Sequence, residues 1–569
     1  MADRPDPVVT HRLHEHGGEV MSDTATPQAP TAGGAQRTVR RLIVYVLLFA
    51  LVAIGATGLS GLLSRLLEAG TALASDDVAG LARSLAFTLI GGPLAALLWW
   101  AVWRRLADPA ERSSLAWGLY LAGMYTVALM LSASALLGAA LQLIDGTWQP
   151  SDFSTGLVWA GVWAWHRWMW RHAAKRPVRL ATLPIVLGAL YGLVIGVGGA
   201  VNALGSLLDT AIRASDQASV GEPWWESPLQ ALLWAVVGAA IWWWHWIHDD
   251  ARRLKTGFAN VALVVIGILG AGVLTLGGIG ATLFVLLRLA FDRADPIGDL
   301  LDPLGEAIAS AAIGALVWYY HALISRGRPH DTRQAGTLVT SGVGLVAAAT
   351  GIGIIVNSLL ATLSSPLAGA DTRTLLLGGI SALVVGGPVW WLVWKPAAPV
   401  AEAEMASTGR RVYLIAVFGL SAIVALVALL VVGNGIFEFA LESASAGSLV
   451  EKIRAPLGLL VATALVSAYH FSVWRRDRAV VGALAPAARE RRISRVFLVT
   501  GADPEPQSQA IEAATGASVT VWPRADTGEG PVPAPDAAQL AAALAGVAGK
   551  RVLVVTGPGN RIDVIPLAD

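Results

Sequence analysis

Histidine is the residue type best placed to do chemistry in this chain. His166, His245, His321 and His470 each follow an aromatic residue near the basic end of an apolar run. The four endings are WHRWMWR (Trp165–Arg171), WHWIHDD (Trp244–Asp250), YHALISR (Tyr320–Arg326) and YHFSVWR (Tyr469–Arg475). Paired imidazoles from neighbouring membrane helices can hold haem or a metal, and an imidazole in a membrane can relay protons or sense pH. Two further runs end alike without histidine, WWAVWRR (Trp99–Arg105) and WWLVWKP (Trp390–Pro396). Aligned on the Trp-Arg/Lys step, Trp99 and Trp390 take the place of the imidazole. A position that accepts either residue asks for an amphipathic interface anchor more than for a ligand. The expectation is therefore an interface belt, with haem binding and proton relay as the alternatives and no metal site.

The second candidate set is polar residues within apolar runs. Asn202, Asn357 and Asn434 fall at similar points of VNALGSLL, VNSLLATL and GNGIFEFAL. They are candidate cavity-lining residues for a solute path; interhelical hydrogen bonding is the structural alternative. Arg288, Glu438 and Glu442 are the deepest charges, all near run ends where snorkelling is easy. No second-member run carries a charge at mid-depth, which argues against an ion-coupled pump. In the C-terminal tail, TGADPEP and TGPGN contain glycine turns, but neither has the Gly-Lys-Ser/Thr of a P-loop nor G-x-G-x-x-G. Pro504 and Pro506 also remove amide donors that a phosphate would need. Both read as plain turns. With no cysteine in the chain, thiol catalysis, disulfides and Cys-based metal sites are excluded.

These residues sit in elements that only a bilayer can accommodate. Hydrophobic residues make up 55% and charged residues 14% of 569, and mean hydropathy is +0.60. A soluble domain carries about 25% charge. Glycine is abundant at 61, as close helix packing in lipid favours, and most of the 23 tryptophans lie at the run ends. The fold expected is an all-α polytopic membrane protein of about twelve transmembrane helices in six hairpin repeats, plus a small C-terminal α/β domain. The repeats span about 39–107, 113–173, 179–253, 257–326, 335–396 and 409–478. Residues 1–38 read as a disordered polar tail with His11, His14 and His16 solvated, and Met21 as an alternative start.

Loop charge sets an expected orientation. Basic residues gather after each second-member helix, for example Arg104, Arg105, Lys175, Arg176, Arg252 and Arg253, while the opposite loops are acidic. The positive-inside rule then places the basic loops and both termini in the cytoplasm. After a linker at 479–491, residues 492–569 change period. RVFLVTG and RVLVVTG read as buried strands, with helices over 507–514 and 536–547, in the order β-α-β-α-β-β.

The long Gly-rich first helices, and second helices ending W-x-x-W-R/K or W/Y-H, resemble a bacterial inner-membrane family of tandem transmembrane hairpins known only as a domain of unknown function (DUF5671-like). The resemblance covers about 41–476 and implies no catalytic residue. The functional expectation is a non-enzymatic membrane scaffold or sensor whose C-terminal domain meets a cytosolic protein partner. A transporter or channel is the alternative, and a haem-binding redox protein the third reading. The partners expected are the lipid bilayer and that cytosolic protein; nothing resembles a nucleic-acid footprint, and net charge is only +1.

Overall fold

A computed structural model describes residues 32–69, 77–213, 223–364, 370–395, 401–441, 448–490, 493–524, 535–547, 549–557 and 561–568. His11, His14, His16, Met21 and Glu442 lie outside them. Twelve long helices occupy the apolar region of the described residues. They are α1 (Ala32–Glu68), α2 (Val78–Arg105), α3 (Leu115–Ile144), α4 (Pro150–Arg171), α5 (Leu183–Arg213), α6 (Glu226–His248), α7 (Gly257–Phe291), α8 (Ile297–Ser325), α9 (His330–Ser364), α10 (Ala370–Trp394), α11 (Thr408–Leu441) and α12 (Leu449–Glu490). Eleven are long and apolar enough to cross a membrane. The twelfth, α4, has 22 residues but carries Asp152, Arg167 and Arg171 among its tryptophans, which lowers its hydropathy. The chain is a multi-pass membrane protein. The helix start at Ala32 takes residues 32–38 out of the expected tail.

Two compact units divide the chain, Met1–Leu187 and Gly188–Asp569. Within each, the two helices of a hairpin pack antiparallel. Gly55 faces Gly92 and Gly61 faces Ser84 across α1 and α2, while Gly156 faces Leu136 across α4 and α3. In the second unit Gly192, Gly196 and Gly199 of α5 meet Trp242, Gly238 and Ala235 of α6 in turn. A Cβ on Gly192 would lie 2.8 Å from the Trp242 Cα, so only glycine admits this approach. Without water to drive apolar surfaces together, such backbone proximity is what holds membrane helices by dispersion.

The hairpins associate in pairs. The first helix of a pair of hairpins packs on the fourth: α1 on α4, α9 on α12, and α5 on α8 through Gly205 against Glu306. The result is three four-helix groups, α1–α4, α5–α8 and α9–α12. Three helices contain π-helical stretches, at Phe87–Gly91 in α2, Trp244–His248 in α6 and Leu263–Gly270 in α7. The first lies just before Pro93, whose missing N–H and bulky ring disturb the i→i−4 ladder.

The tail forms a four-stranded sheet, with β1 (Arg495–Thr500), β2 (Ser518–Pro523), β3 (Arg551–Gly557) and β4 (Arg561–Leu567) in the order β2-β1-β3-β4. β1 pairs in parallel with β2 and β3, and β4 pairs antiparallel with β3. Helices α13 (Pro504–Thr515) and α14 (Ala537–Leu544) connect the parallel strands. Val496, Leu498, Val552 and Val554 pack with Ile511, Leu540 and Leu544 into one core. Because side chains alternate along a strand, this single core places both helices on one face of the sheet.

Candidate functional site

The structure puts all four imidazoles inside the protein. His166, His245, His321 and His470 are between 0% and 3% exposed. Exposed instead are tryptophans at these run ends, among them Trp100, Trp165, Trp168, Trp243 and Trp391. The exposure expected of these histidines as belt residues is thus found at tryptophans. The reason is helical phase: one residue along a helix turns the side chain by about 100°, enough to carry it from lipid into the packed interior.

Each histidine is held in the same way. Nδ1 lies 2.7–2.9 Å from the carbonyl oxygen four residues earlier: Val162, Ile241, Val317 and Val466 respectively. A carbonyl only accepts, so Nδ1 carries the proton and Nε2 presents a lone pair. What meets Nε2 differs. In the first group Tyr120 Oη donates to His166 Nε2 at 3.1 Å. In the third, Tyr413 Oη is 3.4 Å from Ser341 Oγ, and His470 Nε2 is buried without a partner among the described residues. The rings of Trp390, Trp394, Tyr413 and Tyr469 surround that imidazole at 5.0–6.4 Å between centroids. His245 and His321 occupy space that only glycine leaves open. A Cβ on Gly188 would approach His245 to 2.5 Å, and one on Gly267 would approach His321 to 2.6 Å. His245 and Gly267 both lie in π-helical stretches.

A second regularity was invisible in the sequence. The tyrosine preceding His321 accepts a 2.9 Å hydrogen bond from Trp246 Nε1, and the one preceding His470 accepts a 2.9 Å bond from Trp394 Nε1. Within each of these groups the second helix is thereby tied to the fourth. The first group has Trp165 in place of the tyrosine, and its ring packs edge-on against Trp99 at 6.3 Å.

The asparagines do not gather. Asn202 and Asn434 are exposed on their helices, and Asn357 is half-buried, its Oδ1 accepting from Arg454 Nη1 at 3.1 Å. Asn357 lines a cleft of about 440 Å³ between α9, α11 and α12, together with Val346, Ser421 and Val466. A cleft of about 560 Å³ in the first group lies between α1, α2 and α4, reaching Val52, Trp99, Tyr120 and His166. A third, of about 740 Å³, separates α7, α9 and α10. Neither of these two touches Asn202 or Asn434, and all three have almost wholly apolar walls.

The two deep charges among the described residues, Arg288 and Glu438, both have charged partners. Arg288 reaches both Asp292, at 3.7 Å, and Asp295, and Asp292 Oδ2 accepts from Thr374 Oγ1 at 2.6 Å, so the cluster locks α7 to α10. Glu438 is exposed and lies 3.9 Å from Lys452. At the basic ends, Arg410 and Asp477 form a buried ion pair at 2.7 Å. Arg328 holds the connection after α6 through the carbonyls of Arg252 and Leu254, and burial lowers the pKa of its guanidinium. In the tail, Asp503 accepts from Glu505 N at 3.2 Å and fills the N-terminus of α13 with its own carboxylate. Gln507 bridges the strand ends, donating to Thr500 Oγ1 and accepting from Thr556 Oγ1. Most of TGPGN, residues 558–560, lies outside the described residues. Among the described residues, no group of three or more His, Cys, Asp or Glu could hold a metal ion.

No curated protein and no solved structure matches the chain. One family model does, the domain of unknown function DUF5671, and it matches three times, over residues 41–164, 182–320 and 335–465. These segments coincide with the three four-helix groups. The repeating unit is therefore a pair of hairpins, and its fourth helix carries histidine in every copy (His166, His321, His470), whereas the second helix carries Trp99, His245 and Trp390. With well over half of its length matched in three tandem copies, the chain belongs to the DUF5671 family.

Proposed function

We propose that the protein is a non-enzymatic scaffold or sensor of the bacterial cytoplasmic membrane, holding its C-terminal α/β domain in the cytosol for a protein partner. The observation that carries this reading is α12. It continues for 42 residues without a break, from Leu449 to Glu490, and the first strand begins at Arg495. At 1.5 Å per residue it is about 63 Å long, roughly twice the hydrocarbon thickness of about 30 Å. A continuous helix of this length links rotation or tilt of the last span to whatever follows it. The basic loops favour a cytosolic location for its far end.

The sheet supports a binding role for the domain. Parallel strands are ordinarily covered on both faces. Here the face opposite the two helices carries Phe497, Val499, Leu553 and Val555, all half-buried, with Trp522 at 53% and Ile565 at 47% exposure. A photo-crosslinking amino acid in place of Trp522, in the full-length protein in cells, tests the reading. The expected outcome is a discrete protein adduct that Leu553→Glu abolishes. Adducts unaffected by Leu553→Glu, or none at all, would refute it.

A further inference from the structure

A strongly charged concavity lies at the basic end of α1. Its volume is about 230 Å³, and its walls bring together Arg37, Arg40 and Arg41 of α1 and Arg105 of α2, with Asp108 and Glu111 from the segment that follows. Four guanidinium groups thus face two carboxylates. Glu111 is fully engaged, accepting from Arg41 at 2.8 Å and from Tyr45 Oη at 3.0 Å. Asp108 caps the next helical turn, accepting from Ala110 N at 2.8 Å. Among the described residues Arg40 and Arg105 have no carboxylate partner. Crowding like charges at i, i+3 and i+4 on one helix is unfavourable in isolation. An anion seated among these guanidinium groups would relieve that crowding.

The surroundings indicate where that anion comes from. On α1, beside these arginines, Leu42, Ile43, Val46 and Leu47 are between 46% and 59% exposed, as lipid-facing residues are. The concavity therefore sits at headgroup depth, with acyl-chain surface directly adjoining it. Val44 and Val102 contribute apolar wall. Arginine is suited to phosphate, because its fork of donors binds two oxygens at once. Basic pockets between transmembrane helices are a recognised form of anionic-lipid site.

We infer that this pocket binds the phosphate of an anionic phospholipid, whose acyl chains lie along the exposed face of α1. The site is independent of the C-terminal domain and of its proposed partner. It gives the protein a preference for one lipid class at one place.

The test is native mass spectrometry of the full-length protein released from nanodiscs containing phosphatidylcholine with a minor fraction of phosphatidylglycerol. The variant is Arg40→Gln with Arg105→Gln, which leaves the Arg41–Glu111–Tyr45 contacts in place. The wild type is expected to retain phosphatidylglycerol in preference to phosphatidylcholine, and the variant to lose that preference by about tenfold or more. Raising ionic strength weakens the preference in the wild type. Equal retention of the two lipids by the wild type, or undiminished preference in the variant, would overturn the inference. So would inorganic phosphate or glycerol phosphate displacing the bound lipid at comparable concentration, since the site would then be a soluble-anion site. An unchanged melting curve of the variant in pure phosphatidylcholine shows that its fold is intact.

Discussion

The buried histidines divide by what meets Nε2, and that division is measurable. The Tyr120 hydroxyl satisfies His166 Nε2, so Tyr120→Phe leaves a buried acceptor unpaired. The expected loss of stability is about 1–3 kcal/mol, read as a lowered melting temperature in detergent. Tyr413→Phe removes only a 3.4 Å contact to Ser341 and should cost well under about 1 kcal/mol. Equal losses in the two variants would mean that the His166 bond is not the difference. The ion pairs divide in the same manner. Arg410 and Asp477 are each under 10% exposed, and breaking the pair by Asp477→Asn strands a buried guanidinium, at about 3–5 kcal/mol. Arg561 and Asp563 are 74% and 44% exposed, and Asp563→Asn should change stability by about 0–1 kcal/mol. The comparison needs only thermal melts of the two variants side by side.

Glycine governs the scale of the helix. Gly238 faces the backbone of Gly196 and Gly192, and a side chain there would drive α5 and α6 apart. Gly238→Val should therefore abolish a monodisperse elution peak. Gly419 of α11 faces open space, where an added Cβ would meet nothing within 4 Å. Gly419→Ala should be neutral or stabilising by about 0.5–1 kcal/mol, through reduced backbone entropy of the unfolded chain. If both variants behave alike, close backbone approach is not what holds this hairpin. The π-helical stretches belong to the same scale. Those at Trp244–His248 and Leu263–Gly270 place His245, and the glycine that faces His321, in the second group. Each locally rephases its helix, so sequence spacing alone misplaces the side chains beyond it.

At the scale of the whole molecule, the three family matches recast six hairpins as three pairs. A pair buries what a lone hairpin leaves open, because its first and fourth helices close on each other. Orientation is the principal expectation to test at this level, and the absence of cysteine makes the test clean. Single cysteines introduced at Gly298, at the acidic end of α8, and at Ala173, in the basic connection after α4, should differ in intact cells. A membrane-impermeant maleimide is expected to label Gly298→Cys and to spare Ala173→Cys until the cells are lysed. The reverse pattern would invert the topology and move the C-terminal domain out of the cytosol.

Much of this protein was legible in its sequence. Long apolar runs in lipid can satisfy their backbone only as helices, so composition and run length alone dictated a helical membrane region. Short continuous apolar runs in RVFLVTG and RVLVVTG likewise announced buried strands, and the order of elements in the tail followed from its turn residues. The repeat of aromatic-basic endings also stood in the sequence, but its meaning did not. Whether Trp or His at such an ending meets lipid or the interior depends on helix phase and on the neighbouring helix, and neither is local. Hence the histidines, expected in the belt, are buried, three of them (His166, His321 and His470) against aromatic rings, while adjacent tryptophans are exposed. The asparagines look alike in VNALGSLL and VNSLLATL, yet one is exposed and the other bonds to Arg454. Local sequence determined which segments enter the membrane and what each could form. Only the packing of helices distant in the chain decided which faces were buried, because in lipid every apolar face is equally soluble and close contact alone selects among them.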